Sequence, residues 1–180
     1  PIQVVNTTPI SPSATTLAAG DALSIYACFQ GEVALGVGAY CDVKLILNSK
    51  TAGVAWAGAR ATSTPAIPGV TNNCLEFAYT VAGGDTSQVG LQASAITLAN
   101  SATLTITGFD TISATPYNLS PAQNLCNAGP CGGGGSVQLA VDVTAPSRSA
   151  VSPAYDTASQ APGSNLVLTT NERVAAGLSL

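Results

Sequence analysis

Between Asp21 and Phe29 the chain reads DALSIYACF, with Leu23, Ile25, Ala27 and Phe29 on one face and Ser24, Tyr26 and Cys28 on the other. The same period of two recurs in DVKLILN, where Val43, Leu45 and Leu47 point inward, and in CLEFAYTV, where Leu75, Phe77, Tyr79 and Val81 do. VGLQAS, AITLA, ATLTITGF and SVQLAVDV continue it. Alternation in segments rich in Val, Ile, Thr and Tyr marks strands with one buried face. The turn clusters PAIPGVTNN, AGGDTSQ and LANSA separate these runs, and no amphipathic helix stands out. Seven or more short strands punctuated in this way predict an all-β chain folded as a β-sandwich. Its expected core is Leu23, Ile25, Phe29, Val43, Leu45, Leu47, Leu75, Phe77, Tyr79, Leu91, Ile96, Leu104, Ile106 and Leu139. Burial of each large aliphatic stabilises the fold by about 1.5–3 kcal/mol.

Alternation stops in TISATPYNLSPAQNLCNAGPCGGGGS, and residues 113–136 are expected to form a long Cys- and Gly-rich loop. Cys126 and Cys131 lie five apart in CNAGPC, a spacing that a local disulfide would close. The glycines that follow make a flexible lead into the last strand.

A further pattern spans the whole chain. A shift of 143 residues lays Gly20 on Gly163, Leu23 on Leu166 and Ile25 on Leu168. The apolar face of ALSIYA returns in NLVLTT, a Ser-Pro pair precedes both, and Glu32-Val33 has a counterpart in Glu172-x-Val174. This reads as an internal repeat one domain long. It predicts one sandwich over 1–141, then a linker and the first strands of a second, incomplete copy over 142–180, with VDVTAP at the junction. Such strands cannot bury Leu166, Leu168, Val174 and Leu178 alone, because a lone hairpin is marginal in water. They are expected to be completed by a continuing chain or by a neighbouring copy of this one. Pro1 in place of Met is what a processed or trimmed start would leave.

Composition narrows the function. The 180 residues are 46% hydrophobic but only 8% charged, with net charge -4 and no His, where about 25% charged is usual. Five scattered basic residues cannot neutralise a phosphate backbone, so nucleic acid is not an expected partner. No apolar run approaches the ~20 residues of a membrane helix. Without His there is no Ser-His or Cys-His catalysis. The nine carboxylates are spread singly along the chain, whereas glycosidase chemistry needs two facing each other across a cleft. No enzyme is expected.

Other candidate sites are sparse. Asp110, Asp142 and Asp156 flank the junction and are the residues a calcium ion would use. They lack the Asp-x-Asp-x-Asp clustering of strong sites, so solvated loop carboxylates are the plainer reading and no cofactor is expected. Asn6-Thr7-Thr8 and Asn118-Leu119-Ser120 are glycosylation sequons. Trp56, in the Ala-rich AGVAWAGARA, reads as a core or inter-subunit plug before it reads as a sugar-stacking platform.

The order AGDALSIYACF, Glu32-Val33, LEFAYTVAGGD, VDVTAP and SPA…NLVLTTNERV resembles the tandem bacterial immunoglobulin-like domains of large surface proteins. In that family a Gly-Asp-x-Ile-x-Ile-x-Val-x-Phe strand precedes Glu-x-Val, and VD-x-T-A-P commonly links repeats. The resemblance covers most of 11–180 and implies an immunoglobulin-like sandwich in an extracellular structural chain. The loop at 113–136 and the five cysteines depart from the pattern. In an immunoglobulin-like topology Cys28, Cys41 and Cys74 gather at one end of the sandwich. Cys28–Cys74 is then the first expected bridge and Cys41–Cys74 the second, worth roughly 3–4 kcal/mol in the chain-entropy model. The function expected is a repeat or subunit of a surface layer, filament, sheath or adhesin stalk that contacts copies of itself through β-strands. The alternatives are a glycan- or protein-binding adhesion module and a phage virion decoration domain.

Overall fold

A computed structural model describes residues 3–8, 15–37, 42–63, 66–108, 111–113, 116–127, 129–132, 136–144, 148–152 and 167–170. The strands are β1 (Gln3–Asn6), β2 (Thr16–Leu17), β3 (Ala22–Cys28), β4 (Val33–Val37), β5 (Val43–Leu47), β6 (Lys50–Ala61) and β7 (Cys74–Thr80). They continue with β8 (Gln92–Leu98), β9 (Thr103–Ile106), β10 (Ile112–Ser113), β11 (Tyr117–Asn124), β12 (Ala140–Val141), β13 (Arg148–Ser152) and β14 (Val167–Thr170). The chain divides into two compact units, 1–143 and 144–180.

In the first unit a seven-stranded antiparallel sheet runs β1-β3-β7-β6-β5-β8-β11. The twelve-residue β6 joins its two halves. The N-terminal part of β6 pairs with β5, Val54 opposite Leu45, and its C-terminal part pairs with β7, Trp56 opposite Phe77. Both ladders slip on the β6 side, around Gly53 (φ 77°) and Gly58 (φ 79°). Bulges that need left-handed backbone favour Gly and bend the strand that carries them. A side chain at Gly53 would also press on Lys44, whose Cβ would lie 3.0 Å away. The sheet curls until its end strands β1 and β11 touch. A three-stranded sheet, β10-β9-β4, adds Val33, Leu104 and Ile106 to the same continuous core, giving an all-β, sandwich-like unit.

The period-two reading locates this core. Every residue expected inside is buried, none more exposed than Ile106 at 7%, and Ile25, Leu45, Leu75 and Phe77 are fully buried at 0%. Trp56 joins them at 4%, its indole N–H donating to the Ala59 carbonyl at 2.7 Å. VGLQAS and AITLA form one strand, β8, instead of two.

The expectation of a loop over 113–136 needs correction. Tyr117–Asn124 is an eight-residue strand, β11, paired with β8. It ends the sheet and buries only Leu119 among its residues, so its sequence carries no alternation. Its ladder is interrupted between Asn118 and Gln123. That break accommodates Pro121, which has no N–H to donate.

In the second unit β13 and β14 form an antiparallel pair, with Val151 opposite Leu168 and Ser152 opposite Val167. β1 and β3 make the same kind of pair in the first unit. Among the described residues β14 has a neighbour on one edge only, whereas β3 has β7 on its second edge.

Ile25 sits between Asn6 and Phe77 on the neighbouring strands. A carboxylate there would be buried without a partner, at a cost of several kcal/mol, against a total stability of about 5–15 kcal/mol. Ile25→Asp is therefore expected to abolish cooperative folding. A soluble variant with a sharp melting transition would show that the face assignment is wrong.

Candidate functional site

The most elaborately built region is where the terminal segment meets the cystine loop and the approach to β8. Three fully buried leucines from three separate segments close a main-chain ring there. Leu91 N–H donates to Leu139 C=O at 2.6 Å, Leu139 N–H to Leu125 C=O at 2.8 Å, and Leu125 N–H to Leu91 C=O at 3.0 Å. Beyond the ring, Gln88 and Val141 exchange both of their main-chain hydrogen bonds, at 2.8 and 2.9 Å. On its other edge the same terminal segment lies parallel to β2, with Ala140 N–H donating to Thr15 C=O and Asp142 N–H to Leu17 C=O, both at 2.8 Å.

The cystine loop is part of this closure. Cys126 and Cys131 are bonded, with Cα atoms 5.4 Å apart. Asn6, fully buried, donates from its carboxamide to Cys126 C=O at 3.1 Å, and Gly129 N–H donates back to Asn6 C=O at 3.1 Å. Asn127 accepts from Val137 N–H at 2.9 Å through its side chain and donates its own N–H to Val137 C=O at 2.9 Å. The loop is thus tied to β1 on one side and to the terminal segment on the other.

Cys28 and Cys74 stand directly opposite each other on β3 and β7 and form the second disulfide, with Cα atoms 4.0 Å apart. Beside them the buried Asn73 carboxamide donates to Phe29 C=O at 2.7 Å and accepts from Ser63 N–H at 2.9 Å. Two disulfides point to folding in an oxidising environment.

The main cluster of ionisable groups is a clasp at the opposite turn. Tyr79 donates its hydroxyl hydrogen to Asp85 at 2.9 Å, and its oxygen lies 3.0 Å from Ser49 Oγ. Lys50 Nζ pairs with the other Asp85 oxygen at 2.9 Å, and Ala82 N–H donates to the carboxylate at 3.0 Å. Ala18-Ala19-Gly20-Asp21 builds its turn in the same way, Ala18 N–H donating to the Asp21 carboxylate at 2.9 Å. In both turns the Asp side chain replaces a missing main-chain partner. Burial works against the Asp85 charge. The Ala82 N–H, the Lys50 ammonium and the Tyr79 hydroxyl outweigh it and hold the carboxyl below its ordinary value. Burial pushes the Tyr79 phenol up to about 12; Asp85 adds to the rise and Ser49 opposes it. Burial and then the Glu76 carboxylate also raise Tyr26.

Other expected sites fare differently. The Asn6 sequon is a buried brace and offers no surface to a glycan, while Asn118 is exposed on β11. Asp142 lies beside Ser87, whose hydroxyl is 3.4 Å from its carboxylate. Among the described residues no three His, Cys, Asp or Glu are grouped to hold a metal ion. Cys41, Asp110, Asp156, Leu166, Val174 and Leu178 lie outside the described residues, and Leu168 is in β14. Among the described residues no helix is long and apolar enough to cross a membrane. The leucine ring carried no signal in the sequence beyond three apolar positions, because its bonds are made by main chain.

No protein family, curated protein or solved structure matches this chain.

The clasp predicts stability losses at both ends of the pH range. The folded-state value of Asp85 is depressed, so its contribution is present above the unfolded value near 4 and lost as pH falls through the folded one. The Tyr79 value is raised to about 12, so its contribution is full below about 10 and lost as pH rises through the folded value. Melting temperatures measured across pH should show both declines. Asp85→Asn should flatten the acid limb and lower stability at neutral pH by about 2 kcal/mol. Tyr79→Phe should shrink the alkaline decline. Profiles that differ from wild type only by a constant offset would show that the clasp does not set the pH dependence of stability.

Proposed function

We propose that this chain is an extracellular structural protein of the tandem immunoglobulin-like kind. It serves as a repeat or subunit of a surface layer, filament, sheath or adhesin stalk and joins copies of itself through β-strand contacts. The observation that carries the reading is the second unit's β13–β14 pair, which repeats the antiparallel pairing of β1 with β3. In the first unit that pairing is the start of a sheet, and β7 continues it. A two-stranded pair has open edges and is marginal by itself. An added strand satisfies such an edge through main-chain hydrogen bonds and fills alternate side-chain pockets. Leu166, Leu168, Val174 and Leu178 are the apolar positions proposed for that contact. Donor and acceptor surfaces differ, so the contact is head-to-tail and propagates into a filament unless it closes a ring. The disulfides and the low charge, 8% of residues, suit an oxidising exterior and close packing between neighbours.

Deleting 147–180 tests the reading. Electron microscopy should show filaments or sheets from the full chain and dispersed particles from the deletion. Assemblies that persist unchanged in the deletion, or a full chain that stays monomeric at all concentrations, would contradict it.

A further inference from the structure

We infer that the first unit is a tension-bearing module: β2 and β12 form a shear-loaded clamp, and the Cys28–Cys74 bridge diverts load past the middle of the sandwich once the clamp gives way. The inference rests on the structural reading above only for the source of the load. Rupture is a property of one chain, so assembly and clamp stand or fall separately.

The geometry begins with direction. Among the described residues β2–β12 is the one parallel pair, Thr16 beside Ala140 and Leu17 beside Val141. Tension from the N-terminal side is taken first by β1 on β3 and, once β1 is stripped, enters β2 at Thr16, while tension from the second unit enters β12 at Val141. In a parallel pair these are opposite ends of the ladder. The pull therefore runs along both strands and loads their hydrogen bonds together. In an antiparallel pair pulled at one end, the bonds would open one at a time. The bonds concerned are Ala140 N–H to Thr15 C=O and Asp142 N–H to Leu17 C=O, both 2.8 Å. Leu17 and Val141 are each 2% exposed, which keeps water from replacing them. β12 cannot slide on its far edge without breaking its bonds to Gln88 and the leucine ring. Upstream, Asn6 takes load from β1 into the cystine loop through Cys126 and Gly129.

The second part follows from where the disulfides lie. Once the clamp breaks, β2 and β3 peel from one side as far as Cys28, and the chain from β12 back through β7 peels from the other as far as Cys74. The load then passes through the S–S bond. The segment between the two cysteines, 46 positions apart in sequence, contains β4, β5 and β6 and is never stretched. The Cys126–Cys131 bridge likewise shelters its own short loop, 5 positions long.

The full 180-residue chain, held by handles at its two ends and stretched one molecule at a time, tests both parts. We expect a discrete rupture peak under oxidising conditions. Reduction should then add about 160–175 Å to the released length, at ~3.3–3.6 Å per residue of the two sheltered loops less the 4.0 and 5.4 Å that the closed bridges already span. Ala140→Pro removes the donor to Thr15 and leaves the N–H groups of Leu139 and Val141 in place. It should lower the rupture force at least two-fold while the variant still melts cooperatively. Gradual lengthening at low force with no discrete peak, or no added length on reduction, would overturn the inference. So would an unchanged rupture force in folded Ala140→Pro. If that variant does not fold, the first two readouts on the unmodified chain decide.

Discussion

The first unit depends on how its last strand is brought home. A sandwich-like fold can be closed by side-chain packing alone, but here closure is made by main chain. Leu91, Leu125 and Leu139 pass hydrogen bonds around a ring, each buried at 0% exposure. An unpaired amide at that depth would cost about 1–3 kcal/mol, so the three segments are coupled: losing one exposes the bonds of the other two. The ring fixes the terminal segment, and the terminal segment holds β2. Through the cystine loop it also reaches β1.

Asparagine carries much of the remaining connectivity. Asn6, Asn73 and Asn127 are buried, and each uses its carboxamide as a substitute for a neighbouring strand. Asn48 does the same between the β5–β6 hairpin and β8, donating to Gly90 C=O at 2.9 Å and accepting from Gln92 N–H at 3.0 Å. Among the described residues no buried side-chain nitrogen or oxygen lacks a partner. Neutral carboxamides do not titrate and are not screened by salt as ion pairs are. A chain with 8% charged residues can thus brace its connections by means that pH and salt leave alone. Among the described residues the Lys50–Asp85–Tyr79 clasp is the ion-paired exception.

What the sequence disclosed follows from which forces leave a periodic trace. β3, β5, β7 and β9 each have one buried face, and their alternation placed Ile25, Leu45, Phe77 and Leu104 in the core. β6 was hidden because two bulges break its period, which left Ala-rich sequence around Trp56 with no alternation to follow. β11 was hidden because an edge strand that buries one leucine has little pattern to show. The terminal run SVQLAVDV did show alternation, yet only Ala140–Val141 forms a ladder strand. Its other pairings are isolated bridges, Gln138 with Cys126 and Val141 with Gln88. Cysteine spacing pointed to the local Cys126–Cys131 bridge, whereas nothing in the sequon at Asn6 told that it is buried, because a motif carries no information about depth.

This main-chain closure holds the first unit together. Residue-resolved amide hydrogen exchange measures it directly. The Leu91, Leu125, Leu139 and Val141 amides are expected to exchange only with global unfolding, as slowly as the amides of Ile25 and Phe77 in the central strands. Rapid exchange at those four positions, with Ile25 and Phe77 still protected, would show that the terminal segment frays independently and that the fold does not depend on it.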